Sequence, residues 1–257
     1  MEENLTVNNN IGEGEKKKSP FPKEQYKVIS EDVLKWVALI TMFIDHIGAG
    51  IIERCYLAEP NMYTVDMIIR SIGRLAFPIY CFLLVEGYTY TRSRWKYLLN
   101  LGIFALISEV PFDFLFWEEL TMGYQNVFFT LFLGMVVMMI AGKIEERGWG
   151  AGGVILEIVA CLGISLVAEF LRTDYNSWGV ILIFLLFICR KKPRWVLCLV
   201  GSLFLCTSSS EIPGIVAFIL ILFCNGKRMM KINKYVFYGL YPAHLALYCG
   251  IRYLLMM

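Results

Sequence analysis

An all-α, polytopic bundle of about nine membrane-spanning helices is the fold the sequence predicts, and three observations predict it. Of the 257 residues, 58% are hydrophobic and only 18% charged, more apolar side chains than one soluble core can hide. From Val33 onward, apolar runs alternate with short polar breaks, and their lengths of about 13 to 24 residues suit helices crossing about 30 Å of hydrocarbon at 1.5 Å per residue. All six tryptophans (Trp36, Trp95, Trp117, Trp149, Trp178 and Trp195) stand at or beside the boundary of such a run, where an indole sits between lipid and water.

The chain opens on residues 1–32, a polar stretch with Lys16, Lys17 and Lys18 and two prolines. It has too little apolar area to offset ordering and reads as a disordered basic cytoplasmic tail, followed by one transmembrane domain over residues 33–257. No small-residue cleavage site follows the first apolar run, which therefore stays in the mature protein. The expected spans are Val33 to Glu53, Met67 to Tyr90, Tyr97 to Trp117, Val127 to Ile144, Gly152 to Leu171, Tyr175 to Cys189, Trp195 to Ser208, Ile212 to Cys224 and Tyr235 to Leu255. The seventh and eighth are short and are split by polar residues from Thr207 to Pro213, so seven spans plus a re-entrant hairpin is the alternative.

Orientation follows from where the cations fall. With the N-terminus in the cytoplasm, nineteen of the 24 Lys and Arg lie in the tail or the alternate loops, and only Arg54, Arg70, Arg74, Arg172 and Arg252 do not. The opposite breaks carry Glu53, Glu59, Asp66, Glu118, Glu119, Asp174 and Glu211, the asymmetry that the positive-inside rule predicts for a membrane protein with its N-terminus in the cytoplasm. The net charge of +2 gives no footprint for nucleic acid, and membrane lipid is the natural partner. The eight cysteines have no CxxC pair and no histidine at ligand spacing; they read as small apolar packers, and no metal site is expected.

Ionisable groups at membrane depth are costly and mark functional sites. At 1.5 Å per residue from the cytoplasmic boundary, His46 lies roughly 20 Å deep, Glu109 roughly 18 Å, Arg74 roughly 24 Å and His244 roughly 14 Å, one layer built from four spans. Arg70 and Arg74 share one helix face, Glu109 and Asp113 another, so the cations are expected opposite the acids. The two histidines are the only ones in the chain, and imidazole is suited to taking and returning a proton near neutral pH. Asp45 points away from the ring of His46, which leaves Glu109 or Asp113 as its orienting partner. Pro111 and Pro242 loosen their helices beside this layer. Nearer the cytoplasm, Glu86, Glu157, Arg92, Arg94 and Lys96 form a second set, whose cations suit a phosphate-rich cofactor.

Asp45-His46-Ile47-Gly48, Gly73-Arg74-Leu75-Ala76-Phe77-Pro78, Leu84-Val85-Glu86-Gly87, Ile103 through Glu109 with Pro111-Phe112-Asp113, Gln125 through Thr130, and Tyr241-Pro242-Ala243-His244 occur in this order. The pattern resembles the TraX family of membrane acetyltransferases and covers almost everything after the tail. The resemblance implies transfer of acetyl from cytoplasmic acetyl-CoA, as co-substrate, to an amine or hydroxyl in or beyond the membrane; the family is named for acetylation of the N-terminus of conjugative pilin, and a peptide or glycan acceptor fits the residues equally. It further implies His46 as catalytic base with Arg74, Glu109, Asp113 and His244 around it; Asp45 is counted in the same catalytic set, and Arg70, Glu86, Arg92 and Arg94 are expected toward the cofactor. Two rivals remain at this stage: a proton-coupled transporter, which lacks support from any internal repeat, and a non-catalytic pilin assembly factor.

Overall fold

The computed structural model describes residues 28–56, 59, 61–227 and 233–257. Of the expected disordered tail, residues 1–32, positions 1–27 with their five lysines lie outside the described residues, as do the counted cations Arg228 and Lys231, whereas Glu31 and Asp32 already belong to a helix.

Local chemistry starts the helices where the polar breaks end. Ser30 caps α1 (Glu31–Ile47), its hydroxyl accepting from the Val33 N–H at 3.3 Å, so this helix begins two residues before Val33. α2 (Met62–Gly73) and α3 (Ala76–Tyr90) follow, then α4 (Arg94–Phe116), capped by Ser93, and α5 (Val127–Arg147), capped by Asn126. Each cap satisfies one of the first backbone N–H groups that no helix can pair. Gly148, at φ 66°, ends α5 in the left-handed conformation that a glycine takes without strain. α6 (Gly150–Phe170), α7 (Asn176–Cys189), α8 (Arg194–Leu205), a 3₁₀ segment Ser209–Gly214 running into α9 (Ile215–Leu222), and α10 (Lys234–Met256) complete the chain.

Five helical stretches are long and apolar enough to cross a membrane: Glu31–Cys55, Met62–Tyr90, Arg94–Phe116, Val127–Arg147 and Gly150–Phe170. Asn176–Cys189, Arg194–Leu205 and Ser209–Leu222 are shorter apolar helices packed among them. The expected second span from Met67 to Tyr90 lies within the single apolar stretch Met62–Tyr90, which is interrupted at Arg74 and Leu75 between α2 and α3. α1 also departs from regularity after His46, continuing as a π-helical turn over Gly48–Ile52, a distortion that concentrates at functional sites.

Two ends of the bundle are distinct. At the basic end, the Ile29 N–H donates to the Phe223 carbonyl at 3.0 Å and the Asn225 N–H to the Ile29 carbonyl at 2.8 Å, tying the start of α1 to the end of α9. Arg94 pairs with Glu146 at 3.2 Å and Arg190 with Glu145 in the same layer. At the acidic end, Gln125 and Thr173 form a parallel bridge. There too Arg252, one of the five exceptions to the charge pattern, donates to the Leu115 carbonyl and pairs with Glu118 at 2.9 Å. The α8–α9 hairpin reaches that end as well, since Trp178 at the start of α7 donates to Thr207 at 3.3 Å. The core between the ends is apolar, and Cys81, Cys161, Cys189, Cys198 and Cys224 are buried in it.

Candidate functional site

α1 and α10 bring the two histidines together. His46 Nδ1 and His244 Nε2 are 2.6 Å apart, and the rings stack 8° from parallel with centroids 4.9 Å apart. Both are buried, inside a box of Phe43, Phe116, Tyr241 and Tyr248. The hydrogen bonds assign the tautomers of the neutral pair. His244 Nδ1 lies 2.9 Å from the Leu240 carbonyl, which can only accept, so the proton of His244 is on Nδ1 and its Nε2 is an acceptor. His46 Nδ1–H therefore donates to His244, and His46 Nε2 is left with its lone pair.

On the acidic-end side of the pair stand the arginines. Arg70 meets Asp45 at 2.6 Å and Glu53 at 3.2 Å, and Arg74 meets Glu211 at 2.9 Å. Glycines set how closely these helices approach: a Cβ on Gly73 would collide with the Asp45 carboxylate, and one on Gly48 would press on Arg70 and Asp66. In the α6–α7 turn, burial and the neighbouring Asp45 push the Asp174 carboxyl up to about 7, with Arg74 and Arg70 opposing.

The expected pairing of these cations with Glu109 and Asp113 is corrected by this arrangement. Glu109 accepts from both the backbone N–H and the side-chain amide of Asn126, and Asp113 accepts from the Thr121 N–H at 2.9 Å. Both acids thus organise the α4–α5 connection, and the orienting partner of His46 is His244, not either carboxylate. Asp45 does avoid His46 as expected, because adjacent helical residues diverge and its carboxylate is taken by Arg70. Beyond these acceptor roles, Glu109 Oε1 and Asp113 Oδ1 are buried without a hydrogen-bond partner among the described residues.

From the basic end a cavity of about 520 Å³ enters the bundle. Lys35, Arg92 and Lys96 stand at its mouth, Tyr80, Tyr90, Tyr97 and Tyr238 on its walls, and Met42, Phe128 and Tyr241 at its deep end. Of the four residues expected toward a cofactor, Arg92 lines this space. Arg94 turns away to Glu146 and lies over the Tyr88 ring at 4.3 Å, Glu86 is buried 3.8 Å from Arg194, and Arg70 belongs to the cluster beyond the histidines. Sequence reasoning passed over Lys35, Tyr241, Glu211 and Asp174 as site residues. Glu211 and Asp174 had a signal, since both are acids in breaks between short apolar runs, but they were counted only toward orientation.

A polytopic helical membrane protein with a buried histidine pair between a basic-mouthed cavity and an Arg–carboxylate cluster is the class that fold and site define. The chain belongs to the TraX family: the model of the TraX protein matches residues 30–252. It is 29% identical over 249 residues to the probable fimbrial assembly protein FimC, serogroup H1, of Dichelobacter nodosus, covering 85% of this chain and 94% of that protein. It is also 33% identical over 111 residues to the uncharacterized protein RP591 of Rickettsia prowazekii (strain Madrid E), covering 43% of this chain and 37% of that one. No solved structure matches.

Proposed function

We propose that this chain is an acetyltransferase of the bacterial inner membrane, with its basic end in the cytoplasm, taking acetyl from acetyl-CoA and passing it to an amine or hydroxyl presented from the acidic end. The acceptor by family is a pilin-like N-terminus, in keeping with the name of the fimbrial assembly relative. The observation that carries the reading is the cavity itself, which runs from Lys35, Arg92 and Lys96 to Tyr241, a side chain packed on both histidines.

The residues present suit the donor. At the mouth Lys35 is paired with Asp32 at 3.1 Å, and Arg92 and Lys96 add cations that match a phosphate-rich nucleotide, while the tyrosine-walled interior matches a flexible amide-bearing arm with an acyl end. Acetyl-CoA supplies an activated acyl carbon. The chain's own task is to hold the acceptor, take its proton and keep water out. His46 Nε2 carries the lone pair that accepts the proton, while His244, fixed by the Leu240 carbonyl, receives the hydrogen bond from Nδ1 and spreads the charge that the pair acquires. Arg74 gives a single donor to Glu211 and retains others of its five, a fixed positive charge on the side from which the acceptor enters.

The test is binding and turnover of acetyl-CoA by the purified protein in nanodiscs with an amine-bearing peptide pool, comparing wild type with His46→Gln. Binding retained and transfer lowered by about 10²–10⁴-fold, the usual contribution of a general base, is the expected result. A wild-type protein that neither binds nor consumes acetyl-CoA would overturn the reading and favour proton-coupled transport.

A further inference from the structure

One side chain both lines the cavity from the basic end and packs on the buried histidine pair. The cavity from the basic end closes on Tyr241, which is 3% exposed and packs edge-on against Phe128 with centroids 4.9 Å apart. Of the aromatic rings boxed around the histidines, Tyr241 is the one that also lines the cavity; its ring lies 5.9 Å from that of His46 and 5.5 Å from that of His244. Beyond the histidines, toward the acidic end, Arg70 pairs with Asp45 at 2.6 Å and Arg74 with Glu211 at 2.9 Å. The cavity and the histidine pair are thus both in contact with one ring, that of Tyr241.

The backbone beneath that ring is built to give. Pro242 follows Tyr241 directly and brings no N–H for the carbonyl of Tyr238, so the helix lacks a rung where the ring is attached. Helices kink and flex at such points.

We infer that Tyr241 is the partition between the donor cavity and the histidine pair, sealing the bundle at rest and turning aside to admit the acyl group to His46. A permanently open passage would harm any protein of this kind. Protons would cross the membrane along the ionisable groups, and water would add to the thioester carbonyl, break the C–S bond and release acetate and free thiol without an acceptor. The proposal rests on the acetyltransferase reading for its turning step, whereas the seal is a property of the structure alone.

Proteoliposomes loaded with a pH-sensitive dye test the seal with no donor present. Under an imposed potential, Tyr241→Ala is expected to leak protons at least about tenfold faster than wild type, because it joins two chains of ionisable groups, while Tyr241→Phe, which keeps the ring, stays tight. Tyr238→Ala removes a ring from the same cavity without touching the histidines and also stays tight. Should Tyr241→Ala not be recovered folded, Tyr241→Leu carries the same expectation. A tight Tyr241→Ala, or an equal leak from Tyr238→Ala, overturns the partition. With acetyl-CoA added, Tyr241→Ala should raise hydrolysis in the absence of acceptor by about tenfold as water enters while lowering transfer; unchanged hydrolysis by a protein whose wild type transfers acetyl overturns the turning step. A wild type inert toward acetyl-CoA sinks the functional reading and leaves the leak comparison to decide the seal.

Discussion

His46 and His244 do different work although their rings are equivalent in chemistry, and the difference comes from one carbonyl. Leu240 fixes the proton of His244 on Nδ1, which makes its Nε2 the acceptor and leaves the free lone pair on His46. His244→Gln keeps an oxygen able to accept from His46 Nδ1–H but cannot share a positive charge. Its transfer rate should fall by about 10²-fold with the KM for acetyl-CoA unchanged and the pH profile displaced, a smaller loss than that of His46→Gln. Steady-state kinetics over pH checks this, and an effect on KM alone would reassign His244 to binding. Both histidines were legible in the sequence, because two imidazoles among apolar runs have few bland explanations. Their contact was not, since it joins residues 198 apart in sequence, and the carboxylates expected to orient His46 are drawn off by Asn126 and Thr121.

At the scale of elements, the site depends on how α1 and α2 cross. The π turn after His46 and the glycines at positions 48 and 73 bring the two backbones close, so that Asp45 sits against Gly73 and reaches Arg70. Gly73→Ala places a methyl group where the Asp45 carboxylate now lies. Overpacking of this kind costs about 1–3 kcal/mol, seen as a lowered thermal midpoint in detergent. Gly239→Ala, whose added carbon meets nothing within 4 Å, should leave the midpoint unchanged or raise it slightly, since Ala is the better helix former. Equal effects of both would show that the crossing is not tightly packed. Apolar periodicity found these helices and read Met67 to Tyr90 as one span, in line with the continuous apolar stretch Met62–Tyr90, because Ile72, Leu75 and Ala76 continue the apolar run across the break between α2 and α3. At that break Glu211 holds Arg74, and Gly214 comes so close that a side chain there would strike the Arg74 carbonyl.

For the molecule as a whole, orientation and span count are the open predictions, and three single cysteines in a cysteine-depleted background address them. Arg147→Cys, at the basic end, should react with a membrane-impermeant maleimide only after the cytoplasmic membrane is opened. Met122→Cys, in the α4–α5 connection, should react in intact spheroplasts. Ser209→Cys should follow Met122, because the α8–α9 turn stands level with the start of α7 through Trp178 and Thr207; protection from both sides would instead establish a re-entrant hairpin.

What the sequence determined by itself was the helical membrane architecture, the family and the polar residues it would have to place inside, because hydrocarbon forces backbone pairing within each segment and makes every buried charge conspicuous in a string of apolar residues. What only the tertiary structure decided was which of those residues meet: the histidine pair rather than a histidine and an acid, Arg74 with Glu211 rather than with Glu109, and one tyrosine in contact with both the cavity and the histidines. The physical reason is that the layer in which a residue lies follows from its distance along a helix, whereas its partner across the bundle depends on how each helix is rotated and bent, and that was set here by a π turn, two close-packed glycines and a proline acting over long separations in the chain.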